Sequence, residues 1–543
     1  MARGGHGVAA AAAAALLVAS LGSLAPALAL DNGLALLPPM GWRSWNAFHG
    51  SISQDIMEAT MRAMVSRNRT VDGTPTSLLD LGFDNAGLDD NWQACGKGVR
   101  GSFTAADFSP MVNTATFPDM KGMTAYAHSL GLRAGFYMNN CICRETASEF
   151  PSSADVAGHM QGRAKALAAW DFDGVKLDGC GAFRNLTWWA ELINATGKAM
   201  LQENCHWGGT VPGQSGGDAP CDGTETPSDC PYNFFRTSGD IQANWASMFG
   251  NLQTTTKFQG VPPLSRPGTW AYPDMLEVGN LKDATEDRSH FGAWAVVSAP
   301  LILGHDLTNA ALGDRVWPTI SNKEVIAVSQ DWAGHPGRLV AAYNDPASPL
   351  PHHAVAAAAC GNASFPFDLA GKQAWGLHQA RGVASWQACQ QACCADSGCD
   401  VWQWGSTPPS PSLQCFIGKP LYLTDNPKWF ASRGKDKPPP PPPGADTIQL
   451  WAKPLSGGAY AAFALSNVSP GGAARAVQIS FADVFNATAS GSVAVRDLYA
   501  HKDLGSFTTS FTTDAIGPHD SRMYRFTPAT ADAAAAASTA TAQ

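Results

Sequence analysis

Between about Asp31 and Trp332, short apolar runs of strand character alternate with segments of helical periodicity, and this alternation restricts the fold more than any other feature of the chain. Phe83–Leu88, Arg133–Met138, Gly174–Leu177, Ala199–Glu203, Asn233–Thr237 and Leu301–Leu303 read as strands. Asp55–Ser66, Met120–Leu130 and Ile241–Asn251 carry helical spacing between them. Strands that alternate with helices argue for a parallel sheet, and such units over roughly 300 residues suit a (β/α)8 barrel. The barrel is predicted to span residues 31–335. Chemistry-bearing residues repeatedly follow the strands, the end at which a barrel builds its site.

The sharpest case is Lys176-Leu177-Asp178-Gly179-Cys180. On a strand, residues two apart share a face, so Lys176 and Asp178 project together while Val175 and Leu177 point the other way. An ammonium beside a carboxylate favours the ionised form and maintains a nucleophile. The same spacing also fits a structural ion pair at a strand end.

The rest of the chain sets the context. Residues 1–30 read as a signal peptide, with an apolar run from Val8 to Leu21 and a small-residue cleavage site at Ala25-Pro-Ala-Leu-Ala29. No later segment reaches 18 uninterrupted apolar residues, so no membrane span is expected after its removal. Thirteen cysteines and six Asn-x-Ser/Thr sequons (Asn68, Asn185, Asn194, Asn362, Asn467, Asn486) suit a secretory route, to the outside or to a lysosome or vacuole. A formal net charge of −9 without basic runs argues against nucleic acid as a partner. Residues 350–437 are cysteine-dense, and Pro438–Pro443 forms a stiff linker over 438–444. Short alternating runs over 445–528 read as an antiparallel β-sandwich, and the Ala/Thr tail 529–543 as disordered. No metal or cofactor is expected. His352-His353 reads as a solvated pair, and no phosphate-binding loop occurs.

Five blocks occur in a telling order: Leu37-Pro-Pro-Met-Gly-Trp-Arg-Ser-Trp-Asn46, Leu88-Asp-Asp-Asn-Trp92, Gly174-Val-Lys-Leu-Asp-Gly-Cys180, Arg236-Thr-Ser-Gly-Asp-Ile241 and Trp270-Ala-Tyr-Pro-Asp-Met-Leu-Glu-Val-Gly279. Together they resemble the α-galactosidases of glycoside hydrolase family 27, the melibiases, and the likeness resumes at Leu450-Trp-Ala-Lys-Pro-Leu455. The resemblance implies a (β/α)8 barrel followed by a β-sandwich, and retaining hydrolysis of terminal α-galactosides. It implies Asp178 as nucleophile at the end of the fourth strand and Asp240 as acid/base after the sixth, with environments that keep the first ionised and the second protonated. By the same resemblance Asp89 and Asp90 accept from galactose hydroxyls, Trp45 packs on the apolar sugar face, and Tyr137, Lys176, Cys180, Arg236, Asp274 and Met275 complete the pocket. Galactose-containing oligosaccharides or glycoconjugates are the implied partners. An α-N-acetylgalactosaminidase, a β-L-arabinopyranosidase or a non-catalytic carbohydrate-binding protein are the alternatives.

The chain departs from the family's pattern at Cys205-His206-Trp207-Gly208-Gly209, where His206 and Gly209 are expected near C2 of the sugar, and in the shortened loop Tyr137–Cys143. Family precedent implies that Cys180 pairs with Cys141 or Cys143, and Cys205 with Cys230. Six further cysteines, Cys360 to Cys415, lie in a stretch that resembles a PAN/apple module and offers a surface for glycan or protein contact.

Overall fold

The computed structural model describes residues 32–212, 230–260, 263–343, 447–485 and 491–529, with short runs between 365 and 434. The expected leader, the proline run, His352-His353, Cys221, Cys360, Asn362, Asn486 and the tail beyond 529 lie outside the described residues.

Eight parallel strands form the first sheet: β1 (Met40–Arg43), β2 (Asn85–Gly87), β3 (Arg133–Met138), β4 (Gly174–Asp178), β5 (Leu201–Cys205), β6 (Phe234–Arg236), β7 (Trp270–Tyr272) and β8 (Leu301–Leu303). Their order is β8-β1-β2-β3-β4-β5-β6-β7, and a parallel bridge between Leu276 and Leu303 joins the two ends into a barrel. Outside it lie α1 (Gln54–Val65), α2 (Met120–Ser129), α3 (Ser153–Ala169), α4 (Leu186–Asn194), α5 (Trp245–Gln253), α6 (Ala284–Val296), α7 (Ala310–Ile320) and α8 (Lys323–Gln330). Each starts on a serine, aspartate or asparagine whose side chain accepts from a first-turn backbone N–H: Ser53, Asp119, Ser152, Asn185, Asn244, Asp283, Asn309 and Asn322. Asn244 therefore delays α5 to Trp245, whereas periodicity alone placed its start at Ile241. The strand expected at Ala199–Glu203 slides to Leu201–Cys205, because its ladder runs from Gly174↔Leu201 to Asp178↔Cys205.

Packing follows the alternation. Val175 and Leu177 of β4, Phe136 of β3 and Phe235 of β6 join methionines and tryptophans of the helices in one buried cluster. The opposite face of each strand, with Lys176, Asp178, Glu203, Cys205 and Arg236, is left for polar chemistry inside the barrel.

A second sheet is antiparallel, in the order β9 (Arg338–Tyr343), β10 (Ile448–Pro454), β11 (Tyr460–Ser466), β14 (Ser521–Pro528), β12 (Val493–Asp497), β13 (Lys502–Phe507). With the two-stranded antiparallel ladder of Gln478–Ser480 and Ser510–Thr512 it encloses its own core of Ile448, Leu450, Phe511, Tyr524 and Phe526. It grips the barrel directly. Buried Lys453 of β10 donates to the carbonyls of Val328 and, at 3.1 Å, Ser329 in the last turn of α8. Trp245 opens α5, donates to Asn467 Oδ1 at 2.8 Å and stacks on His519. Between β9 and β10, helix Trp386–Ala395 packs on a five-stranded antiparallel sheet and is stapled by Cys389–Cys415 and Cys393–Cys399. No helix among the described residues is long and apolar enough to cross a membrane.

Candidate active site

A cavity of about 480 Å³ opens at the C-terminal ends of the barrel strands. Trp45, Asp89, Asp90, Tyr137, Lys176, Asp178, Arg236, Asp240, Asp274 and Met275 all line it. Cys180 does not, but its disulfide partner Cys141 does.

Asp178 is the last residue of β4 and is 5 % exposed. Tyr137 donates from its hydroxyl to Asp178 Oδ2 at 2.8 Å, while Oδ1 has no protein donor among the described residues. Burial pushes this carboxyl up to about 6, against the pull of Lys176 and of the Tyr137 hydroxyl. The sequence reading expected Lys176 to hold Asp178 ionised directly. Instead Lys176 Nζ donates to Asp89 Oδ2 at 2.9 Å, so desolvation prevails at Asp178. Burial also opposes the charge on Lys176, yet Asp89 and the surrounding anions outweigh it and hold the ammonium above the ordinary lysine range.

Asp240 sits at the mouth, its side chain 60 % exposed. Arg236, buried at the end of β6, joins it to the interior through Nη2, 3.0 Å from Asp240 Oδ1 and 2.9 Å from Asp274 Oδ2. Asp274 also accepts from the backbone N–H of Ile241 at 2.8 Å and of Met275 at 2.8 Å, which fixes the loop that carries Asp240.

Asp90 is tied into the protein. It accepts from Asn91 N, Gln93 Nε2, Asn140 Nδ2, Cys141 N and Ile142 N, all within 2.7–3.0 Å. Disulfides Cys95–Cys143 and Cys141–Cys180 bind the loops after β2, β3 and β4 together at the same place. Backbone strain collects here too. His49, Asn91, Asn139, Trp207 and Asp274 follow five different strands and hold φ between +48° and +87°.

Three expectations change. His206 does not line the cavity. Its Nδ1 lies 3.2 Å from Thr210 Oγ1 and its backbone N–H donates to Asn204 Oδ1, while Trp207 takes the cavity wall with its ring against Gly179. Strand alternation held the signal: Glu203 and Cys205 face inward, so the position two further on was the one to expect. Second, Gly209 is not among the lining residues either. Third, Cys205 is a free buried thiol and Cys230 is disulfide-bonded elsewhere. The Cys205 sulfur lies 3.9 Å from Asp178 Oδ2 and accepts from Arg236 Nη1 at 3.3 Å, a position that no disulfide partner shares.

The sequence reading also passed over Asn46, His49, Glu277 and Asn280, which line one side of the cavity. Asn46, Glu277 and Asn280 lie within or beside the motif blocks, but only part of each block was assigned a role. Cys141, Asp178 and Cys180 bring ligand-type atoms within 4.8 Å of one another, but both sulfurs belong to one disulfide and so do not suit a metal. The cavity thus combines one buried carboxylate with a free oxygen, a second carboxylate at its mouth, and a lining of acceptors and cations suited to hydroxyl groups.

The family model described as alpha galactosidase A matches residues 37–331, and that described as the alpha galactosidase C-terminal beta sandwich domain matches residues 445–526. Alpha-galactosidase 2 of Arabidopsis thaliana is 34% identical over 321 residues, covering 57% of this chain and 71% of that protein. The alpha-galactosidase of Cyamopsis tetragonoloba is 35% identical over 326 residues, covering 58% and 69%. The solved structure of an alpha-galactosidase from Saccharomyces cerevisiae superimposes with a TM-score of 0.60 at 17% identity, over 92% of this chain and 99% of that one. At that identity the likeness is one of fold.

Proposed function

The chain belongs to the alpha galactosidase A family, glycoside hydrolase family 27, and from that membership we propose that it hydrolyses terminal α-D-galactosides with retention of configuration. The observation that carries the reading is Asp178: buried, held on one oxygen by Tyr137, and free on the other at the wall of a sugar-sized cavity. In this reading Asp178 Oδ1 attacks the anomeric carbon while Asp240 gives its proton to the departing oxygen. Asp240 then takes a proton from the water that releases the sugar. Asp89, ion-paired with Lys176, accepts from a sugar hydroxyl, and the wrong epimer would leave that buried carboxylate short of a hydrogen bond. Asp90 serves mainly to order the loop after β3, since five donors already occupy it. The leader-like start and the disulfides support travel through the secretory pathway.

The test is hydrolysis of a nitrophenyl α-galactoside across pH, with the first-formed sugar anomer followed by NMR. Turnover is expected to fall as pH drops through about 6, because a nucleophile in the acid form cannot attack. Prompt release of the α-anomer supports retention. Release of the β-anomer, or no hydrolysis, would overturn the reading.

Trp207 lies against Gly179, one residue past Asp178, and in this reading its ring comes near C2 of a sugar whose C1 meets Asp178. An indole ring there leaves little room for an acetamido group. Trp207→Ala is therefore expected to raise kcat/KM for the N-acetylgalactosaminide relative to the galactoside by about tenfold, and His206→Ser to leave that ratio unchanged. The reverse pattern would return C2 selection to His206.

A further inference from the structure

Below the cavity lies a pair of charges that the proposed reaction does not use. Arg43 ends β1, and its Nη2 donates to Glu203 Oε2 of β5 at 2.5 Å. Their side chains are 9 % and 2 % exposed, and neither residue lines the cavity. Glu203 stands in register with Lys176 on the neighbouring strand. Arg43 Nη1 also approaches Asp89 Oδ2 to 4.0 Å, the oxygen that already accepts from Lys176 at 2.9 Å. Two cations and two carboxylates thus lie side by side, paired as Arg43–Glu203 and Lys176–Asp89, with Glu203 beside Lys176 across the strands but not bonded to it.

A buried ion pair is a poor source of stability, because an apolar pair of similar volume often does as well. Its value here lies in the competition it prevents. We propose that the Arg43–Glu203 pair is a positioning device: by holding Glu203, Arg43 leaves Lys176 to Asp89 and keeps that carboxylate presented to the sugar. This rests on the glycosidase reading above. Without Arg43, Glu203 turns to Lys176, its register neighbour on β4, since Arg236, though its Nε is unpaired, is anchored through Nη2 to Asp240, Asp274 and Ser238. Without Glu203, Arg43 closes the 4.0 Å gap to Asp89. It has donors to do so, because its Nε and Nη1 make no hydrogen bond among the described residues. With both gone, neither competitor for the Lys176–Asp89 pair remains.

Arg43→Met, Glu203→Gln and the double variant decide the matter when kcat and KM for a nitrophenyl α-galactoside are measured beside Tm. Each single variant is expected to raise KM about tenfold or more with a smaller change in kcat, and the double to return KM to within about threefold of the parent. A merely structural pair would lower Tm in the single variants and leave KM of the folded protein alone, and that result overturns the proposal. So does a double variant whose KM stays raised tenfold. Should Arg43→Met not fold, Glu203→Gln and the double carry the same decision. Failure of the parent protein to cleave the galactoside would instead sink the glycosidase reading itself.

Discussion

Asp178→Asn is expected to lower kcat/KM for a nitrophenyl α-galactoside by ~10³-fold or more, and at neutral pH to make the protein more stable. The loss follows from chemistry: an amide nearly matches the carboxylate in shape but is a poor nucleophile. The gain follows from linkage. Burial raises the folded-state pKa of Asp178 to about 6 from an ordinary 3.8. A raised carboxyl contributes stability that is complete below the unfolded value and is lost as pH climbs through the folded one. At pH 7 the native state therefore carries a charge it would rather not hold, at a penalty on the order of 2–3 kcal/mol. Asparagine removes that penalty and its Oδ1 can still accept from Tyr137. Tm of the variant should exceed that of the parent at pH 7, and the difference should shrink towards pH 4. Parental turnover in the purified variant would mean that another group attacks, and a lower Tm at pH 7 would mean that Lys176 outweighs burial after all.

Asp240→Ala should act differently. Sugar leaving groups need the proton and are expected to slow by about 10²–10⁴-fold, while nitrophenol, which departs as a stable anion, should slow far less at the bond-breaking step. The side chain is largely exposed at the mouth, so its removal opens a path for a small anion. Added azide should accept the glycosyl group from Asp178 and yield a glycosyl azide of the same anomeric configuration as a retained product. Equal losses for both kinds of leaving group, with no azide product, would move the acid/base role to another residue.

The barrel was legible because strand-like runs alternate with segments of helical spacing, while the caps, which would have set α5 to start after Asn244, played no part in that reading. β1 and β7 are absent from the strands read by pattern, although β2, β6 and β8 are no longer and were found; both lie inside motif blocks that were read for their chemistry. Motifs named most of the residues that the cavity gathers, since each block sits at a strand end. What they could not convey was pairing across the barrel. Lys176 and Asp89 are 87 residues apart, and nothing local distinguishes Asp89 from Asp178 as the partner of the ammonium. Arg43 and Glu203 are 160 apart, so each looked like an isolated charge within a strand. Cys205 failed for a related reason: cysteine counting supplies candidates, and the choice between a bridge and a buried thiol depends on what packs around the sulfur.

Tyr343 and Ile448 stand directly opposite one another on adjacent antiparallel strands. The chain therefore leaves the second sheet and re-enters it at the same rung, and the disulfide-stapled module between is, in topological terms, the loop of a hairpin. Closing a longer loop adds only about 0.6 kcal/mol per doubling of its length. An excursion of about a hundred residues at this point thus burdens the sheet by only a few times that increment over a ten-residue turn. The rung works as a port. A lineage can acquire, exchange or discard an accessory module there without re-registering a strand, while selection on the chemistry of the barrel proceeds independently.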